Sequence, residues 1–239
     1  MPCVAEPSRI GGKYGDATYP SASAARADRR PGIAICTYDD ADGGWDLIED
    51  LSGTPWSPAG ARTVPVSGGD PDALASRLGD HLRNGDCRAV LLVGRTHKAG
   101  GFRVQMRAEN RALDRRERLS LTGPGVARTT APVADILRAL NAAGLAADAS
   151  SDAEEDAGSY ILYRVLADLP DGPHVPAVGL LRAPIPADET AVRKGVKAAA
   201  SAMTGHLSPQ TRAEADRVRR LFRLRTASSP TPASPAIAR

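Results

Sequence analysis

With 239 residues, 42% of them hydrophobic and 25% charged, the chain is long enough to bury one sizeable core and has the composition of an ordinary globular protein. A net charge of +3 is too small to imply a nucleic-acid partner, and no apolar run approaches the roughly 20 residues of a membrane span. Cys3, Cys36 and Cys87 are scattered and odd in number, so they give neither a CxxC pair nor a disulfide framework, and the sequence offers no metal or cofactor site.

The first stretch, MPCVAEPSRIGGKYGD, has no apolar segment of the kind a secretory signal needs, and a cytoplasmic protein is expected. Residues 1–30 are rich in Ala, Ser, Arg, Gly and Pro with no apolar period and read as a disordered extension. A short β-type run follows over residues 32–38, and a second over 61–66. Asp70 and Pro71 start a helix, a capping carboxylate followed by Pro in the first turn, and Leu74, Leu78 and Leu82 recur at helical spacing. CRAVLLV, residues 87–93, is continuously apolar, as in a strand buried on both faces. Residues 102–107 alternate like a half-buried strand. Val133, Ile136, Leu137 and Leu140 mark the next helix, which Gly144 is placed to end. A helix begins near Tyr160, a strand closed by prolines lies in VPAVGLLRAPIP, and residues 188–203 are again helical. This alternation predicts an α/β layered domain around a mostly parallel sheet.

Beyond that domain, residues 209–225 form a basic helix with Val218, Leu221 and Phe222 on a small apolar stripe and Arg212, Arg217, Arg219, Arg220, Arg223 and Arg225 around it. It reads as a surface helix docked by its stripe, with contact to an acidic partner as the sharper alternative. Aromatic residues make up only 4% of the chain, which argues against nucleic acid stacked on rings. Residues 226–239 are a Pro/Ser/Ala tail expected to be disordered.

Several segments, in order, are similar to motifs of one enzyme family. TYDDADGG, from Thr37, resembles a first strand followed by a TGFxPFGG loop. TVPV, from Thr63, resembles the second strand, and VLLVGRT, ending in Gly94, Arg95 and Thr96, resembles a VGxAxGRS strand and turn. Arg103 and Val104 resemble an RVA that follows a catalytic Glu. DAGSYIL, residues 156–162, resembles SAGTYVC, whose last residue is a nucleophile, and GLLRAP, from Gly179, resembles GFIHVP, whose His is a general base. The family is pyroglutamyl peptidase I, also called pyrrolidone-carboxylate peptidase, and the resemblance covers residues 32–203. It implies a three-layer α/β/α sandwich with a mostly parallel mixed sheet over residues 31–207, and a cytosolic cysteine peptidase ancestry.

The chemistry of that family needs a cysteine activated at a helix start, a His to take its proton, and a carboxylate to hold the His. Here the nucleophile's position falls on Leu162 and the base's on Arg182. The carboxylate's falls on Phe102, or on Gly101 if the length difference lies elsewhere. Leucine has no lone pair, arginine stays protonated and phenylalanine orients nothing. Leu162 is expected in the first turn of its helix and Arg182 near the C-terminal end of a neighbouring strand. His97 reads as a solvent loop residue, and His81 as a structural residue in a last helical turn. Ser159 reads as a helix cap with no base beside it. Asp152, Glu154, Glu155 and Asp156 complement the helix dipole, with paired acid/base work as the alternative. The GRT turn, Arg95 and Thr96, together with Ser159 and Tyr160, forms the expected remnant of a pocket wall.

The sequence therefore leans against an enzyme. It reads as a pseudoenzyme with a binding or regulatory role, taking a peptide N-terminus or a small ligand in the remnant pocket, and self-association into a homo-oligomer fits the resemblance. Two alternatives stay open: a cysteine-type pyroglutamyl aminopeptidase using displaced residues, and a basic accessory protein that binds an acidic partner through residues 209–225.

Overall fold

The computed structural model describes residues 28–38, 56–66, 69–98, 100–113, 117–170 and 174–207. The expected N-terminal extension up to residue 27, residues 39–55, the expected basic helix and the expected tail lie outside the described residues.

Strands β1 (Gly32–Thr37), β2 (Arg62–Val64), β3 (Ala89–Thr96), β4 (Phe102–Gln105), β7 (Ala147–Ser150) and β8 (Ala177–Pro184) make one sheet. Its order is β2-β1-β3-β8-β4-β7. The run from β2 to β8 is parallel, while β4 joins β8 antiparallel and takes β7 as its own parallel neighbour. A separate two-stranded ribbon pairs β5 (Arg107–Glu109) with β6 (Val126–Arg128).

Among the described residues, four helices cover both faces: α1 (Pro71–Arg83), α2 (Val133–Ala142), α3 (Ala157–Ala167) and α4 (Glu189–Leu207). Strand alternation sorts the core into two layers. Ile33, Ile35, Leu91, Val93, Leu181 and Ala183 pack on one side with Ile136 and Leu140 of α2 and Val192, Val196 and Met203 of α4. Ala34, Cys36, Val90, Leu92, Val178 and Leu180 pack on the other with Leu74 and Leu78 of α1 and Ile161, Leu162 and Val165 of α3. The expected three-layer sandwich with a mixed, mostly parallel sheet is what is found.

Local signals place the helix ends as read. Asp70 caps α1 by accepting from the Ala73 amide, with Pro71 as the first helical residue. Gly144, at φ +74, follows the cap of α2 in the left-handed region that favours glycine. The strand expected over residues 102–107 is instead broken at Met106: β4 stays in the main sheet and β5 turns away to β6. The Met106 amide donates to the Ser150 carbonyl at 2.8 Å and its carbonyl accepts from the Thr129 amide at 3.0 Å, so that residue belongs to both ribbons.

Candidate functional site

The C-terminal ends of β1, β3 and β8 lie side by side, because the register pairs Thr37 with Val93 and Gly94 with Arg182. Open parallel sheets offer ligand sites at this edge. Here the edge is occupied by Arg182, whose side chain is 0% exposed.

The guanidinium is held on every side. Its Nη1 donates to Asp156 Oδ2 at 2.6 Å and to the Tyr38 hydroxyl at 2.7 Å. Nη2 donates to Asp156 Oδ1 at 2.8 Å and to Ser159 Oγ at 3.0 Å, and Nε and Nη2 both reach Gln105 Oε1 at 3.0 Å. Asp156 thus takes the two terminal nitrogens of the fork end-on in a bidentate pair, a strong geometry for arginine and a carboxylate. Asp156 is also the N-cap of α3, accepting from the Ser159 amide at 2.9 Å. One carboxylate therefore fixes the helix start and neutralises the buried cation.

Two glycines make room for Tyr38. A Cβ on Gly94 of β3, or on Gly158 in the first turn of α3, would fall inside its ring. The phenol sits between strand and helix, donates to Asp156 Oδ2 at 3.1 Å and accepts from Arg182. A second carboxylate completes the cluster. Glu154, 13% exposed, lies 3.6 Å from Arg182 Nε and accepts from Thr96 Oγ1 at 2.6 Å.

The electrostatics follow from that packing. Burial pulls the Asp156 carboxyl upward, but the Arg182 hydrogen bonds and charge, the Ser159 amide and the Tyr38 hydroxyl outweigh it and hold the group below the usual carboxylate range. Burial opposes the charge on Arg182, and its bonds to Asp156 more than restore it. The Tyr38 phenol is pushed well above its ordinary range by burial, with Arg182 opposing and Asp156 adding.

The residues singled out from the sequence are brought together only in part. Ser159, Arg182 and Thr96 share the cluster. Tyr160 points elsewhere, hydrogen-bonding Asp72 of α1 beside Arg164. Arg95 and His97 are exposed at the rim. Leu162 lies not in the first turn of α3 but in the second, because the helix begins at Ala157. Its side chain is buried among Ile161, Val165, Leu74 and Leu180. Phe102 is on the opposite face of the sheet, 4% exposed among the residues of α2 and α4, where its ring fills the space left by Gly195. Strand alternation sends Gln105, not Phe102, from β4 toward Arg182. Gln105, Tyr38 and Asp156 are thus members of the cluster that sequence reading did not assign to it. The paired glycines Gly94 and Gly158 were the signal for Tyr38.

The two thiols among the described residues are far from activated. Cys36 and Cys87 are free and buried within β1 and ahead of β3. Burial pushes Cys36 up to about 12, and Cys87 up to about 11. Two cavities flank the cluster and share Glu154 and Asp156. One of about 710 Å³ opens at the strand ends between Tyr38, Asp70, Arg95, Thr96 and His97. One of about 230 Å³ lies under the ribbon, bounded by Glu109, Arg111, Leu113, Ser159 and Tyr160. Among the described residues, no three His, Cys, Asp or Glu side chains gather as a metal site, and no helix is long and apolar enough to cross a membrane.

No family model and no curated relative matches the chain. Solved structures do. The fold is similar to pyroglutamyl peptidase I from Bacillus amyloliquefaciens, with a TM-score of 0.62 and 17% identity over 74% of this chain and 96% of that one. It is also similar to pyrrolidone carboxyl peptidase from Thermus thermophilus, at TM-score 0.52 and 21% identity over 71% of this chain and 97% of that one. A mutant pyrrolidone carboxyl peptidase from Pyrococcus furiosus matches at TM-score 0.54 and 15% identity, over 74% of this chain and all of its own length. From Gly32 to Leu207, then, the chain has the fold of pyroglutamyl peptidase I.

Proposed function

We propose that this chain is a non-catalytic member of the pyroglutamyl-peptidase fold and that the edge around Arg182 serves to bind, not to hydrolyse. The observation that carries this reading is the environment of Arg182. It stands where the resemblance puts the general base, it is fully buried, and its guanidinium is hydrogen-bonded to Asp156, Tyr38, Gln105 and Ser159. A guanidinium cannot accept a proton, and one so held is not displaced without leaving Asp156 and Glu154 uncompensated. Ser159 is the aliphatic hydroxyl on the fork, but it accepts from Arg182 and otherwise bonds to the Gln105 side-chain amide, so no base takes its proton.

The mechanism of binding follows from what stays accessible. The Arg182 cluster forms a rigid floor. Over it, the 710 Å³ cavity offers the Arg95 and His97 rim and Glu154 at one end, a mixed polar lining that suits a short peptide end with both donors and acceptors. The test is an isotope-labelled protein titrated with a pyroglutamyl dipeptide. The expected result is amide shifts confined to Thr96, His97 and Glu154, which line that cavity, while the peptide stays intact over days. Absence of shifts at those residues at millimolar peptide would overturn the binding role, and cleavage of the peptide would overturn the non-catalytic one.

A further inference from the structure

We propose that Glu154 is the specificity-determining residue of the 710 Å³ cavity, and that the peptide end it selects carries a protonated N-terminal amine. The inference rests on the reading of that cavity as a peptide-end site and names the group the end must present.

The two carboxylates beside Arg182 are in opposite states. Asp156 is saturated. Its Oδ1 accepts from Arg182 Nη2 and the Ser159 amide, and its Oδ2 accepts from Arg182 Nη1 and the Tyr38 hydroxyl. Each oxygen thus accepts twice, which is the capacity of an ionised carboxylate. Glu154 is not saturated. Its Oε1 accepts from Thr96 Oγ1 at 2.6 Å, and among the described residues that is its one hydrogen bond. Arg182 stands close without using the rest. Its Nε is 3.6 Å from Glu154 Oε1, beyond hydrogen-bond reach, and all its nitrogens already donate to Gln105, Tyr38, Asp156 and Ser159. The neighbouring acids have partners of their own: Glu155 pairs with Arg111, and Glu109 with Arg107 and Arg111.

The carboxylate is also held in place. Thr96 is 1% exposed and accepts from the Lys98 amide at 3.0 Å, so its hydroxyl hydrogen is committed to Glu154. A fixed, 13% exposed carboxylate with lone pairs to offer therefore stands in the cavity wall. Charge interactions strengthen where water is excluded, and hydrogen bonds between charged partners are about twice as strong as neutral ones. An ammonium group supplies both. A pyroglutamyl end supplies one neutral lactam N–H, and its ring carbonyl brings a second acceptor toward the carboxylate. A divalent cation is a poorer match, since it needs six or more oxygen ligands and, among the described residues, no three metal-ligating side chains gather here. A lysine side chain offers the same ammonium chemistry as a peptide N-terminus, so the two sources must be told apart by experiment.

The test is titration calorimetry of the full chain at neutral pH with four probes: prolyl-alanine, pyroglutamyl-alanine, N-acetyl-prolyl-alanine and Nα-acetyl-lysine amide. The first two share a five-membered ring and differ in a charged amine against a neutral lactam. Prolyl-alanine should bind at least about tenfold tighter than each of the others. Glu154→Gln keeps an acceptor for the Thr96 hydroxyl and removes the charge. It should bring prolyl-alanine to within about threefold of pyroglutamyl-alanine and leave the latter within about threefold of its wild-type affinity. Should that variant not fold, the comparison on the unmodified protein decides alone. The proposal is overturned by a smaller gap between prolyl-alanine and pyroglutamyl-alanine, by acetyl-lysine amide binding as well as prolyl-alanine, or by a folded Glu154→Gln that keeps the preference. In those cases pyroglutamyl-alanine binding leaves the peptide-end reading standing. Binding of neither dipeptide at millimolar concentration would overturn both.

Discussion

The two faces of the sheet are made by the same strands and bury their residues by different means. On the α2/α4 side β4 contributes Phe102 and Val104 to an apolar layer, and the Phe102 ring rests where Gly195 leaves space. On the α1/α3 side the layer is apolar up to Leu180, and then at the strand ends it becomes a charged cluster around Arg182. Apolar burial is graded, since each methylene removed costs its own share. A buried ion cluster is not, because deleting one partner leaves the others unpaired in a poor solvent for charge. The contrast explains how the strand ends can hold charge inside the fold: the buried groups satisfy one another.

The largest effect should come from Arg182→Met. Losing the cation strands Asp156 and Glu154 and should cost about 3–5 kcal/mol in urea unfolding. Adding Asp156→Asn should give back part of that loss. Simple addition of the two costs would mean that the pair is not coupled. On the other face Phe102→Ala should cost about as much, roughly 3–5 kcal/mol, but its effect should add to that of Asp156→Asn, since the two lie across the sheet.

Acidity separates the faces further. The Asp156 carboxyl is held below its unfolded value, so its contribution is present above the unfolded pKa of about 3.9 and is lost as pH falls through the folded one. The stability gap between wild type and Asp156→Asn should therefore be full at neutral pH and close below about pH 4, while the gap for Phe102→Ala stays constant. A gap that does not change with pH would remove the ion pair from the account. Gly158→Ala should cost about 1–3 kcal/mol by crowding Tyr38, and less when Tyr38→Ala is already present. The smallest effect is expected of Leu162→Cys, about 1–2 kcal/mol, and the new thiol, at a site 0% exposed, should react with iodoacetamide only as fast as the protein opens. Rapid alkylation would show that the α1/α3 side is looser than its packing.

Much of this architecture was legible in the chain. Asp70-Pro71 and Gly144 fix helix ends by local chemistry, and apolar runs such as VLLV report central strands. Strand β7, Ala147–Ser150, was not legible, because ADAS has no β-branched or aromatic residue and lies at the sheet edge. The break at Met106 was equally hidden, since both of its halves alternate and only tertiary pairing decides where the ribbon leaves. Of the residues singled out from the sequence, Arg182, Ser159 and Thr96 lie in the cluster. Sequence reading set Leu162 one turn too early, and it looked to Phe102 on β4 where the geometry uses Gln105. A motif fixes a position along the chain, whereas the face a residue serves depends on strand phase. The cap was read as Ser159, which instead lies inside α3 and gives its amide to the true cap, Asp156; Asp156 was read only as complementing the helix dipole, and a partner 26 residues away leaves no local trace.

The account stands or falls on turnover. Replacing the nucleophile or the base of such a triad costs on the order of a million-fold, and removing the rest adds little. The decisive measurement is continuous hydrolysis of a pyroglutamyl-linked fluorogenic substrate by the unmodified protein, with and without iodoacetamide, and with Cys36→Ala alongside. The account expects no release above the uncatalysed rate in any arm. Robust hydrolysis by the unmodified protein that iodoacetamide abolishes would contradict it, and loss of that hydrolysis in Cys36→Ala would name the displaced nucleophile.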